Sequence, residues 1–117
     1  MSGAAATAPV PDPLDRTLAA LADPARRRVV DLLRERPRRA GELAAALSMS
    51  PSVMSRHLKV LRDSDVVEES SPVFDARVRI YSLRAGATAQ LRSWLEAVER
   101  SWAEQLTALK AHVERGV

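Results

Sequence analysis

The hydrophobic period changes twice along the sequence, and these two changes constrain the fold more than any other feature. Between residues 12 and 62 the apolar residues recur at helical spacing in four short stretches, which prolines and polar turns separate. Between residues 66 and 83 apolar and polar residues alternate, as they do in half-exposed strands. From Ala87 onward the helical spacing returns without a break. The predicted order is four helices, a small antiparallel hairpin and a long fifth helix, which is a mainly α fold.

Three helix starts are marked by a capping residue that precedes a proline. Asp12, Asp23 and Ser50 can each accept a hydrogen bond from a free backbone N–H, and the proline that follows has the φ angle of a first helical turn. These signals predict helices over residues 13–22 and 24–36 and another from residue 51, and the inward spacing of Leu43, Ala44 and Leu47 predicts a shorter third helix over residues 40–47. The inward face of the fourth helix, by its spacing, consists of Val53, Met54, Leu58 and Leu61.

The size of the chain predicts a single domain. With 117 residues, 46% of them hydrophobic, it can build one modest core, which we expect over residues 12–117. Residues 1–11 are small, proline-rich and without periodicity, and we predict a disordered tail there.

The absence of cysteine excludes disulfides, thiolate metal ligands and nucleophilic thiols. The sequence also contains neither the pattern of a signal peptide nor an apolar run long enough to span a bilayer. These features predict a cytoplasmic protein without a membrane partner.

Positive charge is concentrated in one stretch of the sequence. Residues 26–39 contain seven arginines and two carboxylates, Asp31 and Glu35, so five positive charges are in excess there. Such a run is typical of a surface that meets phosphate. The alternative is a solvated helix face.

The third and fourth predicted helices, with the short turn between them, form a helix-turn-helix, in which the second helix enters a DNA major groove. Ser52 and Ser55 can bond base edges or phosphates, and Arg56 has the bidentate geometry that suits a guanine. The hairpin that follows would be the wing of a winged variant, with two arginines on one side of its second strand. The candidate DNA-contacting residues are Arg39, Ser50, Pro51, Ser52, Ser55, Arg56, Lys59, Arg62, Arg77 and Arg79.

The last predicted helix is longer than the body of a domain of this size, since nearly thirty residues span roughly 40 Å. Part of its apolar stripe therefore needs a second molecule, and self-association is the favoured interpretation. The alternative is a core helix that covers a monomer.

Four stretches of the sequence resemble the ArsR/SmtB family of bacterial repressors. They are residues 21–28, 41–44, 54–62 and 75–83, of which the Ser-x-His-Leu-x-x-Leu string and the wing ending in Tyr-x-Leu are the most specific. The resemblance implies a winged-helix homodimer that binds a palindromic operator as a repressor, with the fourth helix in the major groove. It also implies an interface of the first and last helices, for which we predict Leu14, Leu18, Leu91, Trp94, Leu95, Val98, Trp102 and Leu106.

The sequence departs from the family's pattern where metal-sensing members bind their ion. No cysteine lies on the third helix, and His112 and Glu114 are two residues apart and so on different faces of the last helix. We therefore expect no metal and no other cofactor, as in the branch of the family without cysteine sites. Asp65 and Ala76 stand where glycine is common, after the fourth helix and at the tip of the wing.

Nothing in the sequence indicates an enzyme. Ser55 and His57 point in different directions on one helix, so His57 is interpreted as a half-buried helix residue. Two other functions stay open, namely an architectural protein that coats DNA and a winged helix that binds another protein. A small-molecule effector near Trp94 and Trp102 also stays open, the alternative being that both tryptophans are dimer core.

Overall fold

The structure is a computed structural model that describes residues 12–116, so the tail predicted at residues 1–11 lies outside the described residues. Two compact units are present, of which the first ends at Ala87 and the second begins at Thr88. The first unit contains α1 (Pro13–Leu21), α2 (Pro24–Glu35), β1 (Arg38–Arg39), α3 (Ala40–Ala46), α4 (Pro51–Asp63), β2 (Val67–Ser70) and β3 (Ile80–Leu83). The second unit is formed by α5 (Ala89–Gly116).

The predicted capping residues start their helices as expected. The Asp12 carboxylate accepts from the backbone N–H of Asp15 at 2.9 Å, and the Asp23 carboxylate accepts from that of Ala25 at 2.7 Å. The Ser50 hydroxyl accepts from the N–H of Val53 at 3.2 Å. Each cap satisfies a backbone donor that has no partner inside its helix, which explains why these boundaries could be predicted.

The wing differs from the prediction in two respects. The sheet has three antiparallel strands in the order β1-β3-β2, because Arg38 and Arg39 pair with β3 as well. The strand β3 begins only at Ile80. Arg77 and Arg79 therefore lie in the loop before it, whereas the prediction placed them on the strand. That loop has hydrogen-bonded turns of its own, which replace the strand pairing there.

The core of the first unit comes from α1 to α4 and the start of the wing. Leu43 on α3 and Met54 on α4 are both fully buried, so the two helices of the helix-turn-helix share one apolar interior. Burial of one such side chain contributes about 1.5–3 kcal/mol. The other core residues are Ala20, Val29, Leu33, Ala44, Leu58, Leu61, Val66 and Val67.

The turns before and after α4 have the same geometry. Ser48 has a φ of 54° and Asp65 a φ of 60°, both in the left-handed region. After each of them the chain bonds back to the preceding helix, from the N–H of Met49 to the Ala44 carbonyl and from the N–H of Val66 to the Leu61 carbonyl, both at 2.9 Å. This closure is the one found at many helix C-termini, where glycine is the usual left-handed residue. Asp65 stands where glycine is common in the family, whereas no feature of the sequence marked Ser48.

The second unit is a 28-residue helix in which no residue is buried. Its start at Ala89 lies two residues after the predicted one. The helices of the described segment all lack the length or the apolar composition needed to cross a bilayer.

Candidate nucleic-acid interface

One face of α4 is exposed and polar, and the opposite face is buried. Met54, Leu58 and Leu61 point into the core, as the spacing predicted, whereas Val53 is only half-buried. His57 is half-buried, as predicted. The exposed face contains Ser52, Ser55, Arg56, Lys59 and Arg62.

The N-terminal end of α4 presents small hydroxyl groups. Ser50, Pro51 and Ser52 are all exposed there. The Ser50 hydroxyl already caps the helix, and it lies 3.3 Å from the hydroxyl of Ser52. Ser50 and Pro51 therefore shape the end of the helix, while Ser52 and Ser55 present side chains with no steric bulk. A helix N-terminus with this composition can approach a phosphate or a base edge closely.

The cations on α4 differ in their surroundings. Lys59 donates to the Asp63 carboxylate at 2.8 Å, and this hydrogen bond holds the pKa of Asp63 below its ordinary value. Arg62 lies 2.7 Å from the Glu69 carboxylate. Among residues 12–116 no hydrogen bond or ion pair engages the Arg56 side chain. Arg56 is therefore the cation of α4 that can reach a DNA base without giving up an intramolecular partner.

The Arg62–Glu69 pair joins α4 to the wing. Glu69 on β2 is opposite Tyr81 on β3 in the strand register. Burial raises the pKa of Tyr81, and the neighbouring Glu69 carboxylate raises it further. This connection was not predicted, because residues 62, 69 and 81 come together only when the sheet forms.

Most of the arginine-rich run binds to the protein itself. Arg26 donates to the carbonyl of Ala20 at 2.6 Å, and Arg27 donates to that of Leu21 at 2.7 Å, so both close the C-terminus of α1. The Arg38 side chain is only 12% exposed and pairs with Glu35 at 2.7 Å. Further ion pairs in the run are Arg26–Asp23, Arg34–Asp31 and Arg36–Glu42.

In this run Arg26, Arg27 and Arg38 bind other parts of the fold, a role that neither interpretation included, whereas the pairs of Arg34 and Arg36 are exposed on the surface. Arg39, the member of the run predicted to contact DNA, is exposed directly before α3. Its backbone N–H donates to Glu42 at 3.1 Å, a bond that holds the pKa of the Glu42 carboxyl below its usual value.

The wing loop, residues 71–79, consists of two successive turns. The N–H of Asp75 donates to the Pro72 carbonyl at 3.2 Å, and the N–H of Val78 donates to the Asp75 carbonyl at 3.3 Å. Arg77 has a side chain that is 93% exposed, and Arg79 is exposed as well. The loop therefore presents two cations to solvent, although it does so from turns and not from a strand.

The apolar stripe of α5 is exposed over most of its length, and its first residue, Leu91, is half-buried. Its exposed residues include Trp94 (45%) and Trp102 (65%). The stripe repeats with spacings of four, three and four residues, twice over, which is an eleven-residue repeat whose period of about 3.67 stays close to that of a straight helix. The residues in this repeat are Leu91, Leu95, Val98, Trp102, Leu106, Leu109 and Val113.

The predicted interface residues of α1 are partly exposed. Leu18 is 38% exposed, and Leu14 is half-buried. The buried residues of α1 are Thr17 and Ala20, so the leucines lie beside the inward face and not on it.

Comparisons with known proteins agree with this geometry. Residues 23–69 match the family model described as bacterial regulatory protein, arsR family. The chain is 38% identical over 93 residues to the HTH-type transcriptional regulator Rv2034 of Mycobacterium tuberculosis, which covers 80% of this chain and 81% of that protein. It is 30% identical over 56 residues to the transcriptional repressor SdpR of Bacillus subtilis, which covers 48% of this chain and 62% of that one.

A solved structure supports the fold. The homodimeric winged helix-turn-helix DNA-binding domain of Mb0332 from Mycobacterium bovis, described as a possible ArsR-family transcriptional regulator, matches with a TM-score of 0.61 and 24% identity. The match covers 80% of this chain and 84% of that chain. The helices and the hairpin described above therefore form a winged helix-turn-helix, as the sequence predicted.

Proposed function

Because the chain belongs to the arsR family of bacterial regulatory proteins and has a winged helix-turn-helix fold, we propose that it binds a palindromic DNA operator as a homodimer and represses transcription. The observation that carries the proposal is the exposed face of α4, where small hydroxyl groups and one arginine without an intramolecular partner in the described residues lie side by side. A face built only to coat DNA would be uniformly cationic. This face is mixed, which favours recognition of a sequence.

The residues of α4 divide into two roles. Ser52, Ser55 and Arg56 contact base edges, with the Arg56 guanidinium bonding both acceptors of a guanine. Lys59 and Arg62 contact backbone phosphates through their remaining N–H donors, while each keeps its carboxylate partner. Phosphate contacts outside α4 come from Arg39, Arg77 and Arg79.

The apolar stripe of α5 supports the homodimer. A helix of 28 residues without one buried side chain gains little from tertiary packing, so it needs a partner to hold its apolar face out of water. A second copy offers an identical stripe, and the two faces can pair about a two-fold axis. We propose that this pairing uses Leu91, Trp94, Leu95, Val98, Trp102 and Leu106, and that Leu14 and Leu18 of α1 also contact the partner copy.

The dimer explains the form of the operator. Two recognition helices related by a two-fold axis bind two half-sites, about one helical turn of 34–36 Å apart, with inverted sequences. Repression as the sense of regulation is supported by the similarity to the repressor SdpR. The protein would act at the chromosome in the bacterial cytoplasm, and its chemistry would be binding and not catalysis.

The experiment that tests this function is a selection of bound duplexes from random DNA with the full chain at physiological salt, together with sedimentation of the same sample. We expect an enriched inverted repeat and a protein that sediments as a dimer. Strong binding without enrichment would instead establish the architectural alternative. No binding to any duplex would overturn the DNA-binding function and leave the protein-interaction module.

A further inference from the structure

The tip of the wing loop exposes two apolar side chains that neither the helix-turn-helix nor the core uses. Val73 is fully exposed, and Phe74, the only phenylalanine of the chain, is 86% exposed. Apolar residues at a hairpin tip are unusual, because turns are normally built from polar residues and glycine. Consecutive exposed apolar residues at a tip therefore indicate a surface that becomes buried against something else.

The loop holds these two residues in a defined arrangement. Val73 and Phe74 are the central residues of the turn that the bond from the Asp75 N–H to the Pro72 carbonyl closes at 3.2 Å. The ring of Pro72 fixes its own φ angle on one side of the tip. On the other side, the Ser71 hydroxyl donates to the Ala76 carbonyl at 3.3 Å. The two side chains are thus presented by a hydrogen-bonded scaffold.

The charges beside the tip favour a polyanion as the partner. Arg77 and Arg79 are exposed, and the carboxylate of the loop, Asp75, accepts from the backbone N–H of Arg77 at 3.0 Å and pairs with its guanidinium at 3.4 Å. An apolar pair beside two exposed cations matches a nucleic-acid groove, where apolar base faces lie between two rows of phosphates.

The size of the pair argues against a protein partner. A stable protein interface buries about 800 Å² on each side, whereas one phenylalanine offers about 150–250 Å² and a valine less. Proteins that wedge open a minor groove, in contrast, need only one or two apolar side chains between base pairs.

We propose that the tip of Val73 and Phe74 is a minor-groove wedge that inserts between two base pairs beside the half-site contacted by α4. This proposal rests on the proposed DNA-binding function and adds a second kind of specificity to it. Insertion unstacks one step and bends the duplex, so the protein prefers operators with a flexible pyrimidine–purine step, such as TA, at that position. The protein would thus distinguish sequences by how easily this base-pair step deforms, without hydrogen bonds from the wedge to the base edges.

The short connection keeps the tip close to α4. The Arg62 guanidinium and the Glu69 carboxylate lie 2.7 Å apart, and Phe74 is five residues beyond Glu69. Even five fully extended residues span only about 16 Å, so the tip lies within that distance of Glu69. It can therefore reach only DNA that directly adjoins the half-site contacted by α4, which includes the flanking minor groove.

The test compares two duplexes that differ only in one flanking step, TA or AA, beside the inverted repeat obtained by selection. Binding is measured by fluorescence anisotropy, and bending by energy transfer between dyes at the two ends. Wild type and Phe74→Leu should bind the TA duplex about tenfold more tightly than the AA duplex and bend it, because both side chains are apolar wedges. Phe74→Ser should lose most of that preference and of the bend. Arg77→Ala, the control in the same loop, should weaken binding to both duplexes equally.

Two results would overturn the wedge while leaving the proposed function intact. In the first, Phe74→Ser binds and bends both duplexes as wild type does. In the second, Phe74→Ser changes the sedimentation coefficient without DNA, which would assign the tip to contacts between protein chains. If the wild type fails to bind any duplex, the proposed function and the wedge are both wrong.

Discussion

The guanidinium of Arg62, near the end of α4, lies 2.7 Å from the carboxylate of Glu69 on β2. Since Glu69 is opposite Tyr81 in the strand register, one carboxylate connects the recognition helix with both strands of the hairpin. The two parts of the molecule that are proposed to contact DNA are therefore held in a fixed relation before DNA is bound. Such preorganisation lowers the entropy cost of binding.

The substitution Glu69→Gln should lower the pKa of Tyr81 but leave it above its ordinary value, because burial is the larger cause of the increase and remains. A raised tyrosine pKa stabilises the fold below the pKa of the unfolded chain, and this contribution is lost as the pH rises through the folded pKa. Ultraviolet titration measures the pKa of Tyr81 directly, since the chain has a single tyrosine. The control is Glu68→Gln, at the exposed neighbouring carboxylate. Equal shifts in both variants would contradict a specific Glu69–Tyr81 interaction.

The substitutions Arg56→Ala and Lys59→Ala should weaken DNA binding in different ways. Arg56→Ala should cost about 1–3 kcal/mol and relax the preference at one base position. Lys59→Ala should weaken binding to all sequences alike and reduce the salt slope by about one phosphate contact. Selection and binding at several salt concentrations separate the two effects. If both variants lose affinity uniformly across sequences, Arg56 does not contact a base.

Replacing Ser48 with glycine should stabilise the protein by about 0.5–1 kcal/mol. A residue other than glycine costs about 1–2 kcal/mol in the left-handed conformation, and glycine avoids this strain. Part of the gain is lost, because glycine also raises the conformational entropy of the unfolded chain. Asp65→Gly should gain less, since it also removes the pair with Arg84 at 3.0 Å. The measurement is urea unfolding at one fixed protein concentration. The matched control is Ser64→Gly, at a residue with a φ of −95°, which should destabilise. A gain in stability in that control would refute strain as the cause.

Stability should fall as the solution is acidified, because three carboxyls have pKa values below their ordinary ones. Backbone donors lower the pKa of Asp23 and of Glu42, and the Lys59 ammonium lowers that of Asp63. A carboxyl whose pKa is lowered by folding stabilises the fold fully at pH values above its pKa in the unfolded chain. This stabilisation is lost as the pH falls through its pKa in the folded chain, because the unfolded chain binds more protons in that range. Urea midpoints from neutral pH down to about pH 3 measure this loss. Asp23→Asn keeps a capping residue without the charge, so its midpoint should fall less steeply than that of the wild type. An unchanged slope would rule out Asp23 as a contributor.

How much could be predicted from the sequence depends on how far apart the interacting residues are. The cap at Ser50 and the buried face of α4 depend on residues within one or two turns, and both were predicted correctly. The pairing of Arg38 with Tyr81 joins residues 43 positions apart, so no local pattern could reveal β1. The roles of Arg26 and Arg27 were missed for a different reason: their acceptors are only six residues away, but they are backbone carbonyls, which no pattern of side chains marks. Phe74 was overlooked, although an apolar pair at a hairpin tip was a signal that could have been noticed.

The last prediction concerns the dimer. Val98 belongs to the apolar stripe of α5 and lies between Trp94 and Trp102 along the helix. Its side chain is exposed within one chain. Val98→Glu should produce a monomer, because the dimer would have to bury a carboxylate without a partner. Sedimentation should show the smaller species, and tryptophan emission should shift to the red, since both tryptophans of the chain lie on this helix. The matched control is Ser93→Glu, which places the same side chain on the opposite face of α5 and should remain dimeric. Because each half-site then binds alone, operator affinity of Val98→Glu should fall by about 100-fold or more. A Val98→Glu variant that stays dimeric with full operator affinity would show that the stripe of α5 is not the interface.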